Sequence, residues 1–348
     1  MTATVATVPM TLARSTVRTA ISQAVVRLLA ASMPQYRSRF RGPLSHRFGA
    51  ATLALALFAL SFAIGAQERR DVLVIGRISD DPKAHYEPLK RLLDYVVPKM
   101  REVGIREGKV LMAKDAQQMA SYLRRGQVDW VTETAGTAMQ LQDRGRAQPL
   151  LLTERDGVSQ YRSVIFVRRD SGIADLDQLR GRSIAFQSTA STSAYFVPAI
   201  ELLRRDLSLS LLMSPMDRPS SDSVGYLFAR SELNIGAWVH KRLVDAGAMS
   251  ELDWNNPSRL PPAYRRDLVV IHTSPPLPRA LEMVRGDLDP QVRDRLAWVL
   301  MRAADDEQAR QPLKYFFRTT RFLPIDAPTR QSLERLHKGI VEVRQELE

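Results

Sequence analysis

The sequence predicts an α/β fold built around parallel strands. Three observations carry that expectation: short continuous apolar runs, amphipathic segments at helical spacing between them, and about 280 residues beyond a basic N-terminal stretch with no internal repeat or low-complexity linker. A chain of that length can bury two separate cores.

Val72-Leu73-Val74-Ile75 is apolar without interruption, as a strand covered on both faces must be. Residues 86–103 follow with Leu89, Leu92, Leu93, Val96, Val97 and Met100 on one helical face. Pro88 suits the first turn there, and Pro98 is placed to kink or end the helix. Val110-Leu111-Met112 predicts a second strand, 115–125 a helix stopped by Gly126, and Val128–Val131 a third strand. Thr132-Glu133-Thr134 then opens a helix over 135–143. This βαβαβα order requires crossover helices and so a parallel sheet. Ser163–Val167, Ser183–Phe186, the amphipathic segment 195–205 and Leu233–Trp238 continue the alternation. Leu268–Ile271 is one more strand between proline-rich turns, and the chain reads helical from Pro290.

Residues 1–66 contain seven arginines and no aspartate, glutamate or lysine, and end in an uncharged apolar run from Ala50 to Ala66. That is the layout of a secretory signal, with Ala63-Ile64-Gly65-Ala66 supplying small residues for cleavage; an uncleaved anchor and a cytoplasmic basic tail are the plainer alternatives. Met33 begins a segment of ordinary signal length, so residues 1–32 read as an over-extended start. The formal net charge of +12 falls to +5 once the leader arginines are removed. No Lys/Arg run is interleaved with aromatics, which argues against a nucleic-acid partner. The chain has no cysteine, hence no lipid-modified N-terminal cysteine and no disulfide framework.

Chemistry concentrates at one place. The strand Ser183–Phe186 runs into Gln187-Ser188-Thr189-Ala190-Ser191-Thr192-Ser193 and then into a helix. Hydroxyls and unpartnered first-turn amides converge there and form a cradle for an oxyanion. The same hydroxyls are also preferred helix caps, and that plainer reading stands beside the first. Metal and catalytic signals are weak: His46, His85, His240, His272 and His337 are scattered, and no nucleophile elbow, P-loop or dinucleotide glycine pattern occurs. No catalytic residue, metal or cofactor is expected.

The segment from Ile173-Ala174-Asp175-Leu176 through Leu179-Arg180-Gly181 to Phe186, followed by Ser191-Thr192-Ser193-Ala194-Tyr195-Phe196-Val197-Pro198, resembles the central motif of the phosphonate, phosphite and phosphate binding proteins of ABC importers. Tyr86-Glu87-Pro88-Leu89, Gly126-Gln127-Val128-Asp129-Trp130 and Arg162–Val167 are similar to further segments of that family, in order, over most of residues 71–325. The resemblance implies the type 2 periplasmic-binding fold: two α/β lobes joined by two crossover segments around a ligand cleft. It implies a signal region at 1–66, a first lobe from 67–158 and 278–348, and a second lobe from 159–277. It also implies that Ser191, Thr192 and Ser193 hold the anionic head of a small oxyanion ligand. Glu133 and Thr134 stand opposite them, and Ser221 falls near the family's second-lobe histidine.

Departures from the pattern bear on the ligand. Glu133 stands where the family carries an aromatic hydroxyl, and Ala116 where it carries another. The acidic residues that hold an aminoalkyl ammonium fall near Lys241 and Ala280, which disfavours 2-aminoethylphosphonate. The expected function is a monomeric extracytoplasmic solute-binding protein that captures a phosphate, phosphite or phosphonate for an ABC permease. The alternatives are a periplasmic module signalling to a membrane kinase or receptor, and, more remotely, an exported enzyme on the same fold. In each, contact with the membrane is made only through the leader or a partner. N-terminal sequencing of the exported protein tests the leader: cleavage between Ala63 and Gln67 is expected, and a product that keeps residues 50–66 in the membrane fraction contradicts it.

Overall fold

The computed structural model describes residues 71–79 and 81–347. The expectations for residues 1–66 lie outside them.

Two six-stranded sheets form the frame. The first contains β1 (Val72–Ile78), β2 (Glu107–Ala113), β3 (Trp130–Glu133), β4 (Ala147–Arg155), β13 (Leu281–Arg285) and β14 (Thr319–Leu323), in the order β14-β4-β13-β3-β1-β2. The second contains β6 (Ser163–Arg168), β7 (Ser183–Phe186), β8 (Ser208–Leu211), β9 (Ser223–Phe228), β10 (Ala246–Ser250) and β11 (Leu268–Thr273), in the order β11-β6-β10-β7-β9-β8. One end of each is parallel: β1 pairs parallel with β2 and β3, β7 with β9 and β10, and β8 with β9. Returning strands close each sheet antiparallel, β13 against β3 and β6 against β10. The chain passes between the sheets twice, and the crossing segments pair with each other as β5 (Gln160–Tyr161) and β12 (Leu277–Pro278).

Helices fill the crossovers. α1 (Pro82–Val96) begins four residues before the sequence reading places it, because Asp81 caps the Ala84 N–H at 3.1 Å and Pro82 occupies the first turn. Pro88 therefore lies inside the helix. Its missing N–H would have paired with the carbonyl of exposed Ala84, where water can substitute. Leu89, Leu92, Leu93 and Val96 are buried as their spacing requires, and the helix tightens at Pro98 into a 3₁₀ stretch, Val97–Val103. α2 (Ala116–Arg124) and α3 (Ala135–Gly145) complete the first lobe's parallel unit.

In the second lobe a π-helical turn, Thr192–Phe196, leads into α4 (Val197–Leu203), and α5 (Glu232–His240) covers β10. Leu233–Trp238 is thus helical. Two short helices follow, α6 (Glu251–Trp254) and α7 (Pro262–Arg265). The C-terminal part comprises α8 (Pro290–Arg302), α9 (Arg310–Tyr315) and α10 (Ala327–Leu347), and β14 interrupts the helical run that the sequence suggested.

One hydrophobic core runs through both lobes, joining Val131, Ala138 and Leu281 to Ile184, Phe186 and Tyr195. α10 contributes Leu333, Leu336, Ile340 and Val343 to it and packs against α3 of one lobe and α4 of the other. Gly339 makes that approach possible: a Cβ there would lie 2.6 Å from Ile200 Cδ1.

Candidate functional site

The parallel strands of both sheets end at one cleft, the position where open α/β sheets bind ligands. β1 delivers Ile78 and Ser79, β2 delivers Lys114 and Asp115, and β3 delivers Glu133 and Thr134. β7 releases residues 187–193 along the opposite wall. The cavity measures about 710 Å³. Five of the six expected ligand residues, Glu133, Thr134, Ser191, Thr192 and Ser193, line it. Ser221 does not. It sits in an exposed turn before β9, against Gly181, so the placement of a second-lobe polar group at this position is corrected. Other polar residues of the second-lobe wall are Glu232, Ser250 and Asp253.

The three hydroxyls do different work. Ser191 Oγ accepts from the Ala194 N–H at 3.1 Å, the cap that the plainer reading anticipated, and its own proton stays available to a ligand. Thr192, 2% exposed, reaches across the cleft. Its Oγ1 accepts the Gly136 N–H at 2.8 Å and donates to Thr134 Oγ1 at 3.0 Å. Gly136 belongs to the first turn of α3, whose N-cap residue Thr134 forms no side-chain cap of its own. Thr192 is therefore the cap of a helix in the other lobe, and its proton is committed to Thr134. Gly136 allows the approach, since a Cβ there would stand 2.8 Å from Thr192 Oγ1. Ser193 lies beside Tyr161, and its carbonyl accepts from Ser163 Oγ at 2.6 Å.

Tyr161 brings to the cleft the aromatic hydroxyl that the sequence lacks at Glu133 and Ala116. It arrives from β5, a crossing strand. Arg279, beside β12 on the other crossing segment, holds its guanidinium 5.3 Å from the Tyr161 ring centroid.

A family profile described as ABC transporter, phosphonate, periplasmic substrate-binding protein matches residues 79–329. The chain belongs to this family. Among solved structures, XAC2383 from Xanthomonas citri bound to chloride ion is similar at 53% identity, covering 79% of this chain and 99% of that one, with a TM-score of 0.76. XAC2383 bound to ATP matches at 52% identity over 80% of this chain and all of that one, again with a TM-score of 0.76. PhnD1 from Prochlorococcus marinus in complex with methylphosphonate shares 17% identity over 78% of this chain and 99% of that one, with a TM-score of 0.56, and shows the fold alone. That fold is the type 2 periplasmic-binding fold. No described helix is long and apolar enough to cross a membrane.

Within this phosphonate-family cleft, Glu133 is 5% exposed and its Oε1 accepts the Ile78 N–H at 2.9 Å. Burial raises its pKa, against the opposing pull of Arg77, the Ile78 N–H, Arg155 and the Thr134 N–H. Both arginines stand over Phe317, with guanidinium carbons 4.3 and 4.8 Å from the ring centroid. Arg155 is pulled down to about 10 by burial and by its neighbours Arg77 and Arg279. Glu282, fully buried beneath them on β13, accepts from Trp130 Nε1, Thr132 Oγ1 and Thr153 Oγ1 at 2.6, 2.9 and 2.6 Å.

Glu232 and Asp253 place carboxylates on the second-lobe wall, although Lys241 and Ala280 carry none. Both acids face Arg259, at 3.7 and 3.9 Å.

Two measurements test this geometry. Thr192→Val keeps the shape and removes the oxygen that caps α3, a change worth about 0.5–2 kcal/mol. Scattering should show a larger unliganded protein, and affinity for any ligand should fall about two- to thirtyfold; unchanged dimensions and affinity would show that the lobes close without this bond. Glu133 gives a pH signature. Its folded-state pKa is raised, so its share of stability is fully present below pH 4.5 and is lost as pH rises through the raised value. Affinity for an anion should decline over that same window as the carboxyl charges, and Glu133→Gln should flatten the decline in a calorimetric pH series.

Proposed function

We propose that this protein is a monomeric extracytoplasmic receptor that captures a phosphorylated organic anion in the cleft and presents it to an ABC permease, with no catalytic turnover. The observation that carries the ligand reading is the cleft itself. A cavity of about 710 Å³ exceeds what a single phosphite or methylphosphonate fills and lies in the range that buries molecules of nucleotide size. XAC2383, half identical to this chain, is described bound to ATP, which supports a ligand of that size and charge.

In this reading Ser191 and Ser193 donate to the oxyanion head from one wall while the Glu133–Thr134 turn meets it from the other. Each hydroxyl bond to a charged oxygen contributes about 1.5–3 kcal/mol. Residues 67–158 with 278–348 and residues 159–277 move as two bodies about the paired crossing strands. Ligand contacts both and so favours the closed arrangement. The leader is removed near Ala66.

Calorimetry of the purified protein against ATP, pyrophosphate, inorganic phosphate and methylphosphonate tests the reading. ATP should bind with micromolar or tighter affinity and reduce the radius of gyration at saturation. Binding of methylphosphonate alone would return the ligand to the small-phosphonate class, and release of hydrolysed nucleotide would refute a pure binding role.

A further inference from the structure

Most of the acids that line the cleft face a cation. Asp115 has Lys114 at 3.9 Å, Glu232 and Asp253 share Arg259, and Glu133 faces Arg77 and Arg155. Arg279 lines the cavity, and among the described residues its guanidinium has the Tyr161 ring beside it and no ion pair. Its backbone is fixed by the Arg279 N–H to Ser159 carbonyl bond at 2.8 Å, and its guanidinium rests on Tyr161. Behind it the first lobe is electropositive: Arg77 and Arg155 each carry a buried Nε–H with no partner, and Arg155 is 8% exposed. Three arginines there meet only Glu133 and Glu282, both pushed by burial toward their neutral forms.

We propose that Arg279 binds a second anionic group of the ligand, so that this cleft selects phosphoanhydrides over singly headed phosphonates. The inference rests on the reading of the cleft as a phosphate-binding site. Tyr161 sets the span: it lies beside Ser193 and its ring meets Arg279, so the two anion contacts are separated by one tyrosine side chain. A phosphonate held at the hydroxyl wall fills only the first. A di- or triphosphate reaches both, and a planar guanidinium suits two phosphate oxygens at once.

The test compares wild type, Arg279→Gln and Arg279→Lys by calorimetry with ATP, pyrophosphate and methylphosphonate, beside melting curves. Arg279→Gln should weaken ATP and pyrophosphate about ten- to a hundredfold while methylphosphonate affinity stays within about twofold. Arg279→Lys should restore part of the loss and melt like wild type. An equal loss for all three probes would make Arg279 a support of the cleft, and an unchanged ATP affinity would place the second anion elsewhere; either overturns the proposal. If wild type binds none of the probes, the phosphate reading itself falls, and the role of Arg279 with it.

Discussion

The architecture of the cleft depends on a helix capped by the opposite lobe. The first turn of α3 points unsatisfied amides at the cleft, as every helix N-terminus must. Its own N-cap residue, Thr134, leaves them unserved, and Thr192 supplies the oxygen. One hydroxyl thereby joins two sheets that share no ladder. A threonine at this place does what a ligand would otherwise do, which is to stand between the lobes and accept from one while donating to the other. In this family member a contact between the two sheets is thus written into the chain itself.

Charge follows the same economy. Asp129 and Asp245 pin strands inside their sheets by accepting from Val74 N–H and Ser183 N–H, so two of the acids near the sheet edges serve the scaffold. Glu282 is held by three donors beneath the cleft floor. Cleft acids carry adjacent cations, and the cations left over gather on the crossing segments and the first lobe.

Much of this was legible in the sequence, for identifiable reasons. β1, β6 and β7 are continuous apolar runs, and the α1 stripe has the spacing of a half-buried helix, so periodicity alone locates them. β13 was hidden by Glu282, a buried carboxylate in the middle of a strand, and β4 by Pro149. β9 and β10 carry Gly225 and Gly247, which read as breaks although each glycine makes room for a neighbour. The hydroxyl segment and Glu133 were identifiable because strand ends and helix starts are local. Arg279 and Tyr161 were not, since their proximity exists only once two crossing segments 118 residues apart pair as β5 and β12. Thr192 was found with the wrong partner in view: the sequence offers a ligand or its own helix, and the fold supplies a helix from elsewhere.

The C-terminal helix gives the two halves a common axle. α10 packs on α3 and on α4 together, and Gly339 has no room to spare against Ile200. Leu336, Ile340 and Val343 of that helix belong to the core that both halves share. The last 21-residue helix, remote in sequence from every cleft residue, thus ties together the two helices that begin at the cleft walls.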